Sequence, residues 1–273
     1  MNLESGRAAG DDQEEQGMHL VKFRLVEPGL APRRTKLQVP GWAGVPQPRK
    51  DGSLEQPWHC VPFSEAAQYG IEIFYPYDNE FRVSTRNGQL ILEGDFGPPP
   101  EDNREWPPFR PFGDAYYTYQ LMLDLKVEPG FALKMDAHPR YFTDVTNTTP
   151  LAVPALLRRW WPMIYFAVFK SPPEGGVHIF RPGEPFAQFL ILPEEPEFEL
   201  QPMEEEEAAE RELQSRRIYE SRSTLGADSQ WLSSTKTVFD ATYRRLAGAL
   251  RGGVPSCPVG EDQANSPAGE DQD

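Results

Sequence analysis

Proline sets the tightest limit on how this chain can fold. There are 29 prolines in 273 residues, roughly twice the average usage of about 5%. Each lacks an N–H donor and fixes φ, so none fits inside a helix or a central strand. The chain must therefore fold as short elements joined by fixed turns. Its aromatic side chains, 16 Phe, 10 Tyr and 6 Trp, supply the apolar surface needed to order them. Disordered chains are poor in such residues.

The hydrophobic pattern is mostly of period two. Asn87-Gly88 stands between Phe81 to Arg86 and Gln89 to Glu93. That pair marks a two-residue type I′ hairpin, because both central residues need positive φ. Tyr119, Leu121, Leu123, Leu125 and Val127 fall on one face of a strand, with Gln120, Asp124 and Lys126 opposite. Further strands are expected at His19 to Val26, Ile71 to Tyr75, Phe131 to Met135, Val177 to Phe180 and Phe186 to Leu192. Met163 to Phe169 is dense enough to be a strand buried on both faces. Residues 95–113 and 136–150 read as loops, the first obliged to pack Trp106, Phe109 and Phe112. Ser64 to Gly70 reads as a short helix with Ser64 as N-cap.

After Glu194 the pattern changes to helix. Met203 to Arg222 is rich in helix formers, with acids first and bases later. A second helix is expected from Asp228 or Ser229, with Trp231, Phe239, Tyr243, Leu246 and Leu250 on one stripe. The implied fold class is mainly β: an antiparallel β-sandwich or jelly-roll-like barrel with two C-terminal helices. The organisation is an acidic disordered N-terminus at 1–17, a strand and Pro-rich arm at 18–57, a β core at 58–201, a helical segment at 202–253, and an acidic disordered tail at 254–273.

The formal charge is −15, and −9 of it lies in residues 1–18 and 254–273. An acidic chain without a basic stripe does not suit nucleic-acid binding, which depends on phosphate neutralisation. The longest apolar stretch, Trp160 to Phe169, is about half the length needed to cross a bilayer, so no membrane association is expected. The N-terminus has no basic-then-apolar signal pattern. Two cysteines, Cys60 and Cys257, form no disulfide framework and suit a reducing, cytoplasmic location.

Chemistry-bearing residues are few. His59, Asp136, His138 and His178 are the candidate metal ligands, with Asp136 and His138 on one face of an extended chain. Their spacing matches no established metal motif, so no cofactor is assigned. His59 and Cys60, adjacent in an extended chain, should point to opposite faces. The candidate ligand-binding cluster is His138, Arg140 and Tyr141 at one rim of the β core, with Trp160 and Trp161. It offers a guanidinium to hold a carboxylate or phosphate and rings to cover it, which suits a small anionic or aromatic ligand. The blander reading makes Arg140 an exposed strand-exit residue and the two Trp core or interface anchors.

Several sequence islands resemble a bacterial family of unknown function. They are Cys60-Val61-Pro62-Phe63 with Ala66, Gln68, Tyr69-Gly70 and Ile71-Glu72-Ile73; Trp161-Pro162-Met163; Phe180 with Gly183-Glu184-Pro185-Phe186; and Arg222 after Tyr219. The resemblance spans residues 58–222 and implies no activity. The segment Phe180 to Pro193 is also similar to the late strand turn of the trimeric dUTP nucleotidohydrolases and dCTP deaminases. That likeness implies positive φ at Gly183 and a backbone hydrogen bond from Gln188. Where those enzymes carry an acidic, Tyr/Arg-rich catalytic strand, this chain has Arg158-Arg159-Trp160-Trp161-Pro162-Met163. The turn geometry is carried over and the catalysis is not.

Two functions are open from the residues. One is a non-enzymatic binding or assembly module, with a homo-oligomer or protein partner. The other is a metal-dependent or small-molecule enzyme with its pocket in a cupin or jelly-roll-like barrel, using His138, Arg140 and His178.

Overall fold

The computed structural model describes residues 19–25, 29–37, 55–99, 106–121, 123–161, 166–195, 198–221, 230–254 and 257–259. The expected disorder at 1–17 and in most of 254–273 lies outside them.

The strands are β1 (Lys22–Leu25), β2 (Arg33–Arg34), β3 (Ile71–Phe74), β4 (Phe81–Arg86), β5 (Gln89–Glu93), β6 (Phe109–Pro111), β7 (Tyr116–Gln120), β8 (Leu123–Lys126), β9 (Phe131–Ala137), β10 (Leu151–Ala152), β11 (Ala155–Leu157), β12 (Phe166–Lys170), β13 (Val177–Phe180), β14 (Pro185–Pro193), β15 (Gln230–Leu232) and β16 (Val238–Asp240). The helices are α1 (Val61–Ala66), α2 (Arg140–Thr143), α3 (Glu205–Glu220) and α4 (Thr242–Arg251). The strands pair antiparallel in sheets ordered β10-β12-β7-β6, β11-β9-β14-β3-β2 and β13-β4-β5, with two-stranded ribbons β1-β8 and β15-β16. The protein is a mainly antiparallel β-sandwich, as the period-two pattern requires.

The core is aromatic. Phe109 stacks on Tyr119 at 4.3 Å between ring centroids and on Phe81 at 4.1 Å. Tyr117 stacks on Phe169 at 5.2 Å, and Phe180 and Phe186 close the group. Offset and tilted ring pairs of this kind add to the area term. The Pro-rich stretch 95–113 does feed this core through Phe96, Trp106 and Phe109. It also contains β6, so it is not wholly a loop, and Phe112 stays exposed.

The hairpin forms as expected, with φ of 54° at Asn87 and 72° at Gly88. The Glu174 carboxylate accepts from both backbone N–H groups, at 2.8 and 3.1 Å. The turn at Gly183 has φ of 70°. Gln188 Nε2 donates to the Tyr69 carbonyl and to Thr35 Oγ1. Both features were implied by the late-strand-turn resemblance.

Several expectations need correction. The apolar face from Tyr119 to Val127 is buried at Tyr119, Leu121, Leu123, Leu125 and Val127, but it is not one strand. β7 pairs with β12 and β6, whereas β8 pairs with β1. Ser64 lies inside α1, and the N-cap is Cys60. Pro62 in the first turn needs no donor there, so the helix starts earlier than a Ser cap would allow. Residues 136–150 contain the end of β9 and α2. β12 is buried on one face only, with Phe166 exposed. Met163 lies outside the described residues. The second C-terminal helix is shorter than expected: Trp231 and Phe239 pair across the β15-β16 hairpin, and the helix begins at Thr242. The helix α3 buries no residue.

Candidate functional site

One face of the five-stranded sheet carries a row of polar side chains. Arg33, Glu72, Gln188 and Asp136 are register partners across β2, β3, β14 and β9. Glu72 is fully buried and pairs with Arg33. It also meets His138, itself 1% exposed, at 3.2 Å from Nε2. His138 Nδ1 accepts the Arg140 backbone N–H at 3.1 Å, so the ring proton sits on Nε2 and is donated to Glu72. Burial pushes the His138 pKa down, against the pull of Glu72. Burial would raise Glu72, but the His138 and Arg33 hydrogen bonds outweigh it and lower its pKa. The unit is a neutral imidazole and a carboxylate whose charge Arg33 balances.

The metal candidates are not brought together. His138 is engaged with Glu72, Asp136 bonds Lys134 Nζ at 2.7 Å, and His178 Nδ1 lies 2.9 Å from the Tyr117 hydroxyl. His59 Nδ1 faces the Gln56 backbone N–H at 3.4 Å. Among the described residues no three His, Cys, Asp or Glu side chains are grouped to hold a metal ion.

The ligand candidates are also divided. Arg140 donates to the Pro185 carbonyl at 3.0 Å and to Glu184 Oε2 at 2.8 Å. Its guanidinium is therefore occupied within the fold. Tyr141 and Phe142, next along α2, turn to a cleft. Trp160 and Trp161 do not border that cleft; they pair edge to face at 5.7 Å and remain 69% and 47% exposed. Neither is buried in the core, contrary to one bland reading.

The cleft has a volume of about 1740 Å³. One wall is the Pro57–His59 turn and the start of α1; a second is α2 with the loop Thr146 to Thr149. The third is the turn Pro172 to His178, and the last is β16 with the start of α4. His59 and Cys60 both border it, because the chain there is a 3-10 turn entering a helix rather than an extended segment. The loop wall is rigid. Asp144 Oδ1 accepts from Thr146 N–H and Oγ1, and Oδ2 from Thr148 N–H, Thr149 N–H and Thr149 Oγ1, all within 2.9 Å. Burial works against that carboxylate, but these hydrogen bonds hold its pKa at about 2.

His178 is 6% exposed and borders the cleft from the core side. Burial lowers its pKa to about 4, so it is neutral at pH 7. Sequence reasoning did not place Arg244 or Arg245 at a site, and it assigned Phe239 and Tyr243 to the apolar stripe of a helix. The one local signal was Asp144-Val145-Thr146-Asn147-Thr148-Thr149, whose composition marks an Asx-type turn.

Fold and cleft together define the class: an antiparallel β-sandwich with an aromatic core and a side cleft walled in part by its C-terminal hairpin and helix. No protein-family model matches the chain, and no curated protein matches it. The bacterial-family resemblance thus has no counterpart among the family models. Two solved structures are similar over 68% of this chain. A dUTPase of EIAV is 10% identical with 98% of its chain covered and a TM-score of 0.33. A dUTPase of phage phi11 of S. aureus is 10% identical with 99% covered and a TM-score of 0.35. Neither likeness bears on the chemistry of the cleft.

Proposed function

We propose that this protein is a binding module whose ligand occupies the cleft between α2 and the C-terminal hairpin and helix. The cleft's size carries the reading. Pockets for drug-sized molecules run to about 300–1,000 Å³, and this one is larger. Its walls combine exposed rings at Tyr141, Phe142, Phe239 and Tyr243 with a few polar groups, the usual make-up of a ligand site. The reducing location expected from the sequence suits two free cysteines, of which Cys60 is exposed and Cys257 buried.

That difference in exposure provides the test. A fluorescent maleimide should label Cys60 alone in the native protein and report from the mouth of the cleft. Its emission should change when members of a fragment set rich in aromatic and anionic compounds are added. A reporter that stays silent across such a set, with labelling confirmed at Cys60, counts against the cleft as a ligand site.

Assembly is a second reading, carried by β1. Phe23 and Leu25 share the face of Leu125 and Leu123 in register, yet are 51% and 38% exposed where Leu125 and Leu123 are buried. A second copy covering that strand would complete the face. Light scattering on wild type and Phe23→Glu tests it: one monomer mass for both ends the idea.

A further inference from the structure

His178 is the one buried polar side chain on the cleft wall whose second ring nitrogen has no hydrogen-bond partner among the described residues. Its tautomer follows from its neighbour. Tyr117 is 0% exposed, and the described residues give its hydroxyl one partner, His178 Nδ1 at 2.9 Å. A buried hydroxyl that donates to nothing is costly, and burial keeps the phenol protonated by raising its pKa. The Tyr117 O–H therefore donates to Nδ1, which leaves the imidazole proton on Nε2. Since Nδ1 faces Tyr117 in the core, Nε2–H lies on the far side of the ring, toward the cleft that His178 borders. It is a fixed, neutral donor.

The charge of the wall adds the second element. Among cleft-lining residues one acid, Glu55, stands against Arg244 and Arg245, in a chain of net −15. Glu55 is engaged by the Ser234 N–H and hydroxyl. Arg244 is exposed and has no carboxylate partner among the described residues.

Resting on the binding reading above, we infer that the cleft takes an acylated aromatic acid: a carbonyl oxygen accepts from His178 Nε2–H, a carboxylate is drawn to Arg244, and the ring lies among Tyr141, Phe142 and Tyr243. A free N-acyl aromatic amino acid and a peptide chain ending in an aromatic residue share that chemistry.

The test uses N-acetylphenylalanine, its C-terminal amide and N-acetylalanine on the full chain, followed by the Cys60 reporter and by imidazole nitrogen NMR. The free protein should show His178 as the Nε2–H tautomer. N-acetylphenylalanine should shift the Nε2 signal, and the other two probes should bind about tenfold more weakly or worse. Arg244→Gln, an exposed change that leaves the core alone, should weaken N-acetylphenylalanine to the level of its amide. An acetylated tetrapeptide ending in phenylalanine that binds more tightly than the single residue assigns the source to a chain end; equal affinity assigns it to a small acid. An Nδ1–H tautomer, or a reporter that answers other fragments while His178 and Arg244→Gln show no effect with these probes, overturns the inference and leaves the cleft reading standing. A reporter silent to every fragment overturns both.

Discussion

The Tyr117 hydroxyl and His178 Nδ1 lie 2.9 Å apart, joining β7 of the four-stranded sheet to β13 of the three-stranded one. The contact places a titratable ring at the edge of an aromatic core. In the unfolded chain His178 takes up a proton below about pH 6.5; folded, it resists until about pH 4. Between those values the unfolded state binds more protons, so stability must fall as pH drops from about 6.5 to about 4. The loss from this group is on the order of 3 kcal/mol and stops growing below its folded pKa. His138, lowered in the same direction, steepens the same window. Asp144 acts further down: its share is present above about pH 3.8 and is lost as pH falls through about 2. Urea denaturation from pH 7 to 4 should show the decline, and His178→Gln should flatten it. An equal slope in both proteins would show that His178 is not the group.

Glu72 and His138 make a second buried pair, and their removal should be felt throughout the sheet. Glu72→Ala leaves His138 without its acceptor and Arg33 without its counter-charge. Breaking a buried pair in this way costs about 3–5 kcal/mol. Glu72→Gln keeps the shape and one acceptor oxygen, so it should cost clearly less. Chemical denaturation of the two variants checks the order; equal costs would mean that the shape and the acceptor oxygen kept by Gln contribute nothing and that the charge alone carries the pair.

Two glycines should differ in what they tolerate. Gly70 has φ of 84°, and a Cβ there would run into the Phe189 carbonyl oxygen. Gly88 has φ of 72° with open space around it. Gly70→Ala should therefore cost about 2 kcal/mol or more, through collision added to backbone strain. Gly88→Val should cost about 1 kcal/mol or more, through strain alone. Melting temperatures rank them, and an unchanged value for Gly88→Val would count against the type I′ turn.

These elements show what the sequence could and could not reveal. The Asn87-Gly88 hairpin was legible because positive φ at two adjacent positions is a local demand. Its clamp by Glu174 was not, because the carboxylate comes from a turn 86 residues away. The apolar face from Tyr119 to Val127 was read correctly as a face and wrongly as one strand. Period two encodes which side of the sheet a residue occupies, not which neighbour its strand pairs with. Trp231 and Phe239 fit a helical stripe by spacing, yet short apolar positions across a hairpin satisfy the same spacing. The cleft was least legible of all. Its walls come from separate stretches of chain, and no local pattern marks their convergence. Tyr141 alone of the ligand-binding candidates reached it, because on α2 it leaves the side on which Arg140 and His138 are tied down.

Arg140 gives the sharpest contrast between the two readings. From sequence its guanidinium suited a ligand carboxylate. In the structure it spans the Pro185 carbonyl and the Glu184 carboxylate, fixing α2 to the start of β14. Its side chain is 17% exposed, so solvent screens the pair only in part. Arg140→Ala should lower stability by about 1–2 kcal/mol and leave the affinity of a cleft ligand within twofold, roughly the scatter between unrelated surface variants. Arg140→Lys should recover part of the stability, since one charged donor can reach Glu184 but the planar fork that also serves Pro185 is gone. Denaturation curves and titrations of the Cys60 reporter, run on the same two variants, separate the roles. Binding lost with stability unchanged would return Arg140 to the ligand; stability lost with binding unchanged makes it a structural tie between α2 and the start of β14.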